Sequence, residues 1–409
     1  MNFAETMKLL ESETNTKINP SLEACEAMCE KLGNPQHKYD CIQIAGTNGK
    51  TSAARMTAKL LKEAGYKVAL YTSPELVRFP ERMEIDGEVV SDEQFCKCVE
   101  KAYESAHECG FEGATQFELL TVGAFWLFAE EQVDIAVFEC GMGGRWDATS
   151  VCRPKVAIIT GIALDHTAIL GDTVEAIAGE KAAIIKDGSV AILAQELTCR
   201  QIFVEQAEAV GSPYVDVDPA LAEKLEPAVT HMPHYQSRNA AVALTAFLEM
   251  LKIYGKSIDD PIGFTIEALG DLQIPGRFET LRAEPLILID AAHNPQSAGV
   301  LATEVESRFA PGSRPALLLG VLADKDARGV VGTLVPLFDR VVVSASKSPR
   351  SHTPAELASI VTEVTGVVPE VCPDLASAIE LLGETPFIAT GSITVAGEVK
   401  GIVMGISAI

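Results

Sequence analysis

The run Gly46-Thr47-Asn48-Gly49-Lys50-Thr51-Ser52 lies between an apolar strand candidate, Asp40 to Ala45, and a helix candidate, Lys50 to Ala64, whose Met56, Leu60 and Leu61 recur at helical spacing. Glycines let successive backbone N–H groups curve around phosphate oxygens, Lys50 neutralises charge, and the helix N-terminus adds its dipole. A full Walker pattern would also need glycine at position 44, where this chain has Ile44. The segment predicts an anion cradle, with a plain turn before a helix as its alternative.

Around this loop, strand and helix candidates alternate. Lys67 to Tyr71, Val133 to Glu139, Val156 to Thr160 and Val190 to Leu193 read as strands, with helices at Glu118 to Gln132 and Thr173 to Ile185 among them. Such alternation predicts a mostly parallel sheet covered on both faces. A helix at Asn239 to Leu251 is followed by Pro/Gly-interrupted segments, and then a second alternating series begins: Pro285 to Asp290, Ala316 to Val321, Arg340 to Ala345, Val367 to Val371 and Pro386 to Thr390. The expected fold is α/β, with an N-terminal P-loop ATPase domain over 1–273 and a C-terminal Rossmann-like α/β domain over 274–409. The boundary falls near Asp271 to Arg277.

At 409 residues the chain is long enough for two domains, and its formal charge of -24 repels polyanions, so nucleic acid is not expected as a partner. A local cradle can still bind a nucleotide. The start, Met1-Asn2-Phe3-Ala4-Glu5, lacks the basic and apolar segments of a secretory signal, and no apolar stretch is long enough to span a bilayer. A cytoplasmic protein is expected, with no membrane association and a monomer as the default. The ten cysteines are scattered without the paired clusters of a structural zinc site, and read as reduced thiols.

Glu139 falls where an apolar strand opens into the glycine-rich run Gly141-Met142-Gly143-Gly144, a natural place to present a carboxylate to magnesium. His166, after the strand ending at Thr160, either completes a metal shell or bonds the loop backbone. Ser73 follows another strand and offers a neutral oxygen, or simply caps a turn. In the second series, Arg277 could meet phosphate or form a salt bridge, and Asp290 could accept nucleotide hydroxyls, orient a cation or cap a strand end. His293 sits in the loop that follows, with bonding to the loop itself as its alternative.

The order of these patches resembles the folylpolyglutamate synthase/dihydrofolate synthase family within the wider Mur ligases. The resemblance runs through the phosphate loop, Thr72-Ser73-Pro74, Phe117-Glu118, Glu139 to Arg145, Asp165-His166-Thr167 and Glu180 to Lys186. It continues through His234-Tyr235-Gln236, Asn239-Ala240, Pro275-Gly276-Arg277 and Asp290 to Pro295, and so covers nearly the whole chain. It implies ATP-dependent activation of a carboxylate as an acyl phosphate and its joining to L-glutamate, with dihydropteroate, reduced folates or both as acceptors. It further implies that Lys50 contacts the terminal phosphates, that Gly46 to Ser52 surround them, and that Ser73, Glu139 and His166 hold magnesium. By the same resemblance Lys181 is carbamylated and helps hold a second magnesium, although a helix lysine ordinarily keeps its ammonium in water. Asn239 becomes an adenine-side residue, with helix capping as the alternative. Arg277 and Asp290 help bind ATP, His293 approaches the acyl phosphate or incoming glutamate, and Ser392 lies near the amino acid, with a simple turn as its alternative.

Several departures bear on substrate choice. Thr51 and Glu75 stand where the folate enzymes usually have glycine and histidine, Ala291 replaces a glycine, and Gln116 precedes Phe117 at a position usually more aromatic. None removes a proposed catalytic group. A Mur-type ligase for another carboxylate and an ATP-binding regulatory protein remain the alternatives, the latter offering no reason to keep the metal residues, Lys181 and the second-domain set together.

Overall fold

The computed structural model describes residues 1–12, 20–165 and 167–407. The apolar runs near the phosphate loop become the centre of an eight-stranded sheet. Its strands are β1 (Asp40–Ala45), β2 (Val68–Tyr71), β3 (Met83–Ile85), β4 (Glu88–Val89), β5 (Ile135–Glu139), β6 (Val156–Ile159), β7 (Val190–Leu193) and β8 (Tyr214–Asp216). They are ordered β4-β3-β2-β5-β1-β6-β7-β8. The strands from β2 to β8 in this order pair in parallel, and β3 and β4 add an antiparallel edge. The central strands are buried on both faces, which is why they read as unbroken apolar runs.

A second, six-stranded sheet comprises β9 (Glu279–Ala283), β10 (Leu286–Ile289), β11 (Ala316–Leu319), β12 (Val341–Val343), β13 (Glu370–Val371) and β14 (Phe387–Thr390), in the order β13-β12-β11-β14-β10-β9. Only β9 runs antiparallel, against β10. Both sheets are therefore mixed, with helices packed on their faces. The short strands β3, β4, β8 and β9 lie at or near the sheet edges; β4, β8 and β9 are mostly polar or exposed and β3 is only three residues long, so they carry little of the pattern that marks a buried strand.

Ile44 is fully buried in β1, so the strand continues through the position where a Walker loop would begin, and the turn starts only at Gly46. The helix that follows, Lys50–Glu63, buries Ala53, Ala54, Met56, Leu60 and Leu61 against the sheet and the helix Gln236–Ile253. That second helix begins three residues before the expected Asn239, and Tyr235 precedes it. Asn239 is thus inside the helix, and the capping alternative does not hold. The helix expected to run to Ile185 ends at Ala182, which puts Lys181 in its last turn. Among the described residues, no helix is long and apolar enough to cross a membrane.

Candidate active site

The loop after β1 is held against β6. Thr47 N–H donates to Gly161 O at 2.6 Å, and Thr160 Oγ1 donates to Asn48 O at 2.8 Å. Two glycines are required here for different reasons. A Cβ on Gly46 would stand 1.8 Å from Thr160 Oγ1. Gly49 has φ +87°, and a Cβ there would lie 2.7 Å from Asn239 Oδ1. Asn239 therefore packs directly on the phosphate loop. Lys50 Nζ donates to Gly46 O at 3.0 Å and Thr47 O at 3.2 Å, folded over the loop it is expected to serve.

Glu139, the last residue of β5, is 2% exposed. Its Oε1 accepts from Thr51 Oγ1 at 2.8 Å and its Oε2 from Ser73 N–H at 3.4 Å. Burial raises its carboxyl above the ordinary carboxylate value, against the pull of Lys50, the Thr51 bond and Arg277. Ser73 Oγ is buried without a hydrogen-bond partner. An orphaned hydroxyl beside a buried carboxylate fits a hard cation that takes oxygen ligands. The expectation for His166 lies outside the described residues. Lys181 is 5% exposed, and burial, reinforced by the Lys50 charge, brings its ammonium down to about 8.

From the second sheet, the loop after β10 faces this cradle. Asp290 accepts from Phe278 N–H and Ala292 N–H, each at 2.8 Å, and burial raises its carboxyl while Arg277 opposes the shift. It thus shapes the Asp290–Asn294 turn as well as facing the cleft. His293 Nδ1 lies 2.9 Å from Ala291 O and Nε2 lies 3.4 Å from Asp165 Oδ2. Lys325 also pairs with Asp165, and Asn48 Nδ2 donates to Gln296 Oε1 at 2.5 Å, so side chains from the two sheets meet across the gap. Ser392 caps the helix Ile393–Met404 by accepting from Val395 N–H at 3.1 Å.

One cavity of about 460 Å³ gathers the phosphate loop from Thr47 to Ser52, Ser73, Glu139, Asn239, Arg277, Asp290, His293 and Ser392. Gly46 and Lys181 are not among its lining residues. The cavity also includes Thr160, Tyr235, Gln296 and Lys325. Of these, Tyr235 lies in a motif that carries the family resemblance, whereas Gln296 and Lys325 reach the cavity from the second half of the chain through bonds to Asn48 and Asp165. Thr160 was visible as a strand-end threonine, but its contact with Gly46 depends on the β1/β6 pairing.

Residues 44–226 match the Mur ligase middle domain, and residues 276–386 match the Mur ligase glutamate ligase domain. The chain is 32% identical to the dihydrofolate synthase/folylpolyglutamate synthase of Mycobacterium tuberculosis, over 94% of this chain and 90% of that protein. The chain belongs to the folylpolyglutamate synthase/dihydrofolate synthase family of Mur ligases. It is also 31% identical to the Lacticaseibacillus casei folylpolyglutamate synthase over 99% of both chains. Among solved structures, Mycobacterium tuberculosis folylpolyglutamate synthase complexed with ADP superposes with a TM-score of 0.88 at 30% identity, covering 98% of each chain. E. coli FolC in complex with DHPP and ADP does so with a TM-score of 0.84 at 26% identity, covering 99% of this chain and 98% of that one. As a member of the family, the chain is an ATP-dependent ligase.

Proposed function

We propose that this protein adds L-glutamate to the carboxylate of dihydropteroate, of a reduced folate, or of both, consuming ATP. The observation that carries the reading is the single cavity in which the phosphate loop and the Asp290–Asn294 turn face each other. Near-complete coverage of folate ligases of both named activities supports the substrate class.

A carboxylate oxygen takes the terminal phosphoryl group of ATP, ADP leaves, and an acyl phosphate results. The glutamate amine then forms the C–N bond as the acyl C–O bond to phosphate breaks, and the departing phosphate takes up the amine's surplus proton. Lys50 exchanges its two loop carbonyls for phosphate oxygens, and the loop N–H groups hold the same anion. Arg277 adds a second positive charge on the opposite wall. Asn239, against Gly49, borders the adenine, while His293 and Ser392 border the incoming amino acid. Closing the two walls together orients the reactants and limits hydrolysis of the acyl phosphate.

Ser73, Glu139 and His166 form the proposed magnesium set, with carbamylated Lys181 serving a second ion. Magnesium, when bound, withdraws charge from the transferring phosphoryl oxygens. The buried amine of Lys181, deprotonated more readily than an exposed lysine, supports the modification. Intact-protein mass measured with and without carbon dioxide tests it: an increment of one carbon dioxide that is lost in Lys181→Met is expected.

The domain division is placed at 273/274, a reading supported by its position after the helix Pro261–Leu269 and between the two matched family regions. The N-terminal unit carries the P-loop and the C-terminal unit is the Rossmann-like one. A cytoplasmic monomer completes the proposal, supported by ten free thiols and by a cavity walled from one chain. The deciding experiment offers dihydropteroate and tetrahydrofolate in parallel with ATP, magnesium and L-glutamate, and reads product mass. One glutamate added to either acceptor is expected; no product from either would move the reading to another carboxylate.

A further inference from the structure

The β2–β3 connection carries Ser73 at one end and, three residues on, an apolar side chain that belongs to the other sheet. Leu76 packs against the core formed by β10, β14 and the helix Ile393–Met404. Its Cδ atoms would be 3.2 and 3.6 Å from a Cβ on Gly276, and its carbonyl oxygen would be only 1.8 Å from a Cβ on Gly397. The helix backbone therefore rests directly against the loop, at a point where nothing larger than glycine fits. The turn that begins at Leu76 is held as one unit. Glu81 accepts the N–H groups of Leu76, Val77 and Arg78, each at 3.0 Å, which binds three successive residues to one carboxylate. The same helix reaches the cavity through its cap, Ser392.

We infer that Leu76, seated on Gly397, is the positioning contact through which docking of the second sheet fixes Ser73 Oγ beside Glu139, so that magnesium-assisted nucleotide binding requires the two sheets to be engaged. The inference deepens the magnesium reading of Ser73 proposed above and rests on it. A Cβ at Gly397 pushes the helix off the loop, while truncation at Leu76 removes the side chain that the second core holds.

The test is calorimetric titration of ADP into the full chain over a series of magnesium concentrations, with thermal melting measured alongside. Wild-type protein is expected to bind ADP more tightly as magnesium rises. Gly397→Ala raises the half-maximal magnesium concentration at least fivefold and Leu76→Ala at least threefold, with metal-free ADP affinity within twofold of wild type. Gly299→Ala, a helix glycine in the same half of the molecule with open space around it, leaves the magnesium midpoint within twofold. If Gly397→Ala does not fold, Leu76→Ala carries the comparison. An unchanged magnesium midpoint in a folded variant, whatever its melting temperature, shows a purely structural contact and overturns the inference. A wild-type protein indifferent to magnesium overturns the metal reading itself, and this inference with it.

Discussion

Burial and a neighbouring charge act together on the Lys181 side chain. Its ammonium is brought from 10.5 to about 8, first by desolvation and then by the neighbouring Lys50 charge. Below about 8 the folded and unfolded forms both hold the proton, so the full cost, about 3 kcal/mol, is present at neutral pH. Between about 8 and 10.5 the unfolded state binds more protons, and stability rises with pH; above that range the cost is gone. Measured against the protein freed of carbon dioxide, where Lys181 keeps its amine, Lys181→Met is therefore expected to raise the unfolding free energy at pH 7 by up to about 3 kcal/mol in urea titrations and to flatten the rise above pH 8; the variant also loses ligase activity. Lys50→Ala, which removes a charge from the phosphate cradle, should lower glutamate-dependent phosphate release by about 10²–10³-fold, measured with saturating acceptor. At this scale the residue types were legible in the chain. Their surroundings were not: that Asn239 presses on Gly49, and that Asp290 spends two hydrogen bonds shaping its own turn, follow from packing between segments far apart in sequence.

Among the elements, β1, its loop and the helix Lys50–Glu63 form the unit most fully written in the sequence, because an apolar run, two required glycines and a helical stripe agree. The edge strands β4, β8 and β9 carry no such signal because a strand paired on one side only needs no continuous apolar pattern, and β3, paired on both sides, is only three residues long. The packing between β1 and β6 yields a prediction of its own. Gly46→Ala forces a Cβ into Thr160 Oγ1 and should cost about 1–3 kcal/mol of stability together with most ATP affinity. Pairing it with Thr160→Ala should recover part of the stability, by thermal melting, but not all, since the bond from Thr160 Oγ1 to Asn48 O is lost.

For the whole molecule, the two sheets are held across the cavity by polar contacts at its rim and by Leu76 behind it. Lys325 and Asp165 are 8% and 10% exposed, so their ion pair is shielded from solvent. Lys325→Met leaves the Asp165 carboxylate with His293 but without that cation, and is expected to reduce stability by about 1–3 kcal/mol in denaturant unfolding. If the pair also holds the cleft closed, ADP affinity falls in the same variant by calorimetry. Asn48→Ala removes the side-chain bonds to Gln296 and Asn294 while keeping the backbone carbonyl that Thr160 meets, and a parallel loss of ADP affinity in that variant is expected from the loss of these cross-cleft contacts.

The sequence by itself determined the α/β alternation, the phosphate loop, the family and the residue types that chemistry needs, because each depends on local spacing or on short ordered motifs. Only the tertiary structure decided which strands close the sheet edges, which side chains share one cavity, and that a leucine from the first half completes the core of the second. Those outcomes depend on contacts between residues tens to hundreds of positions apart, and such contacts leave no period in the chain.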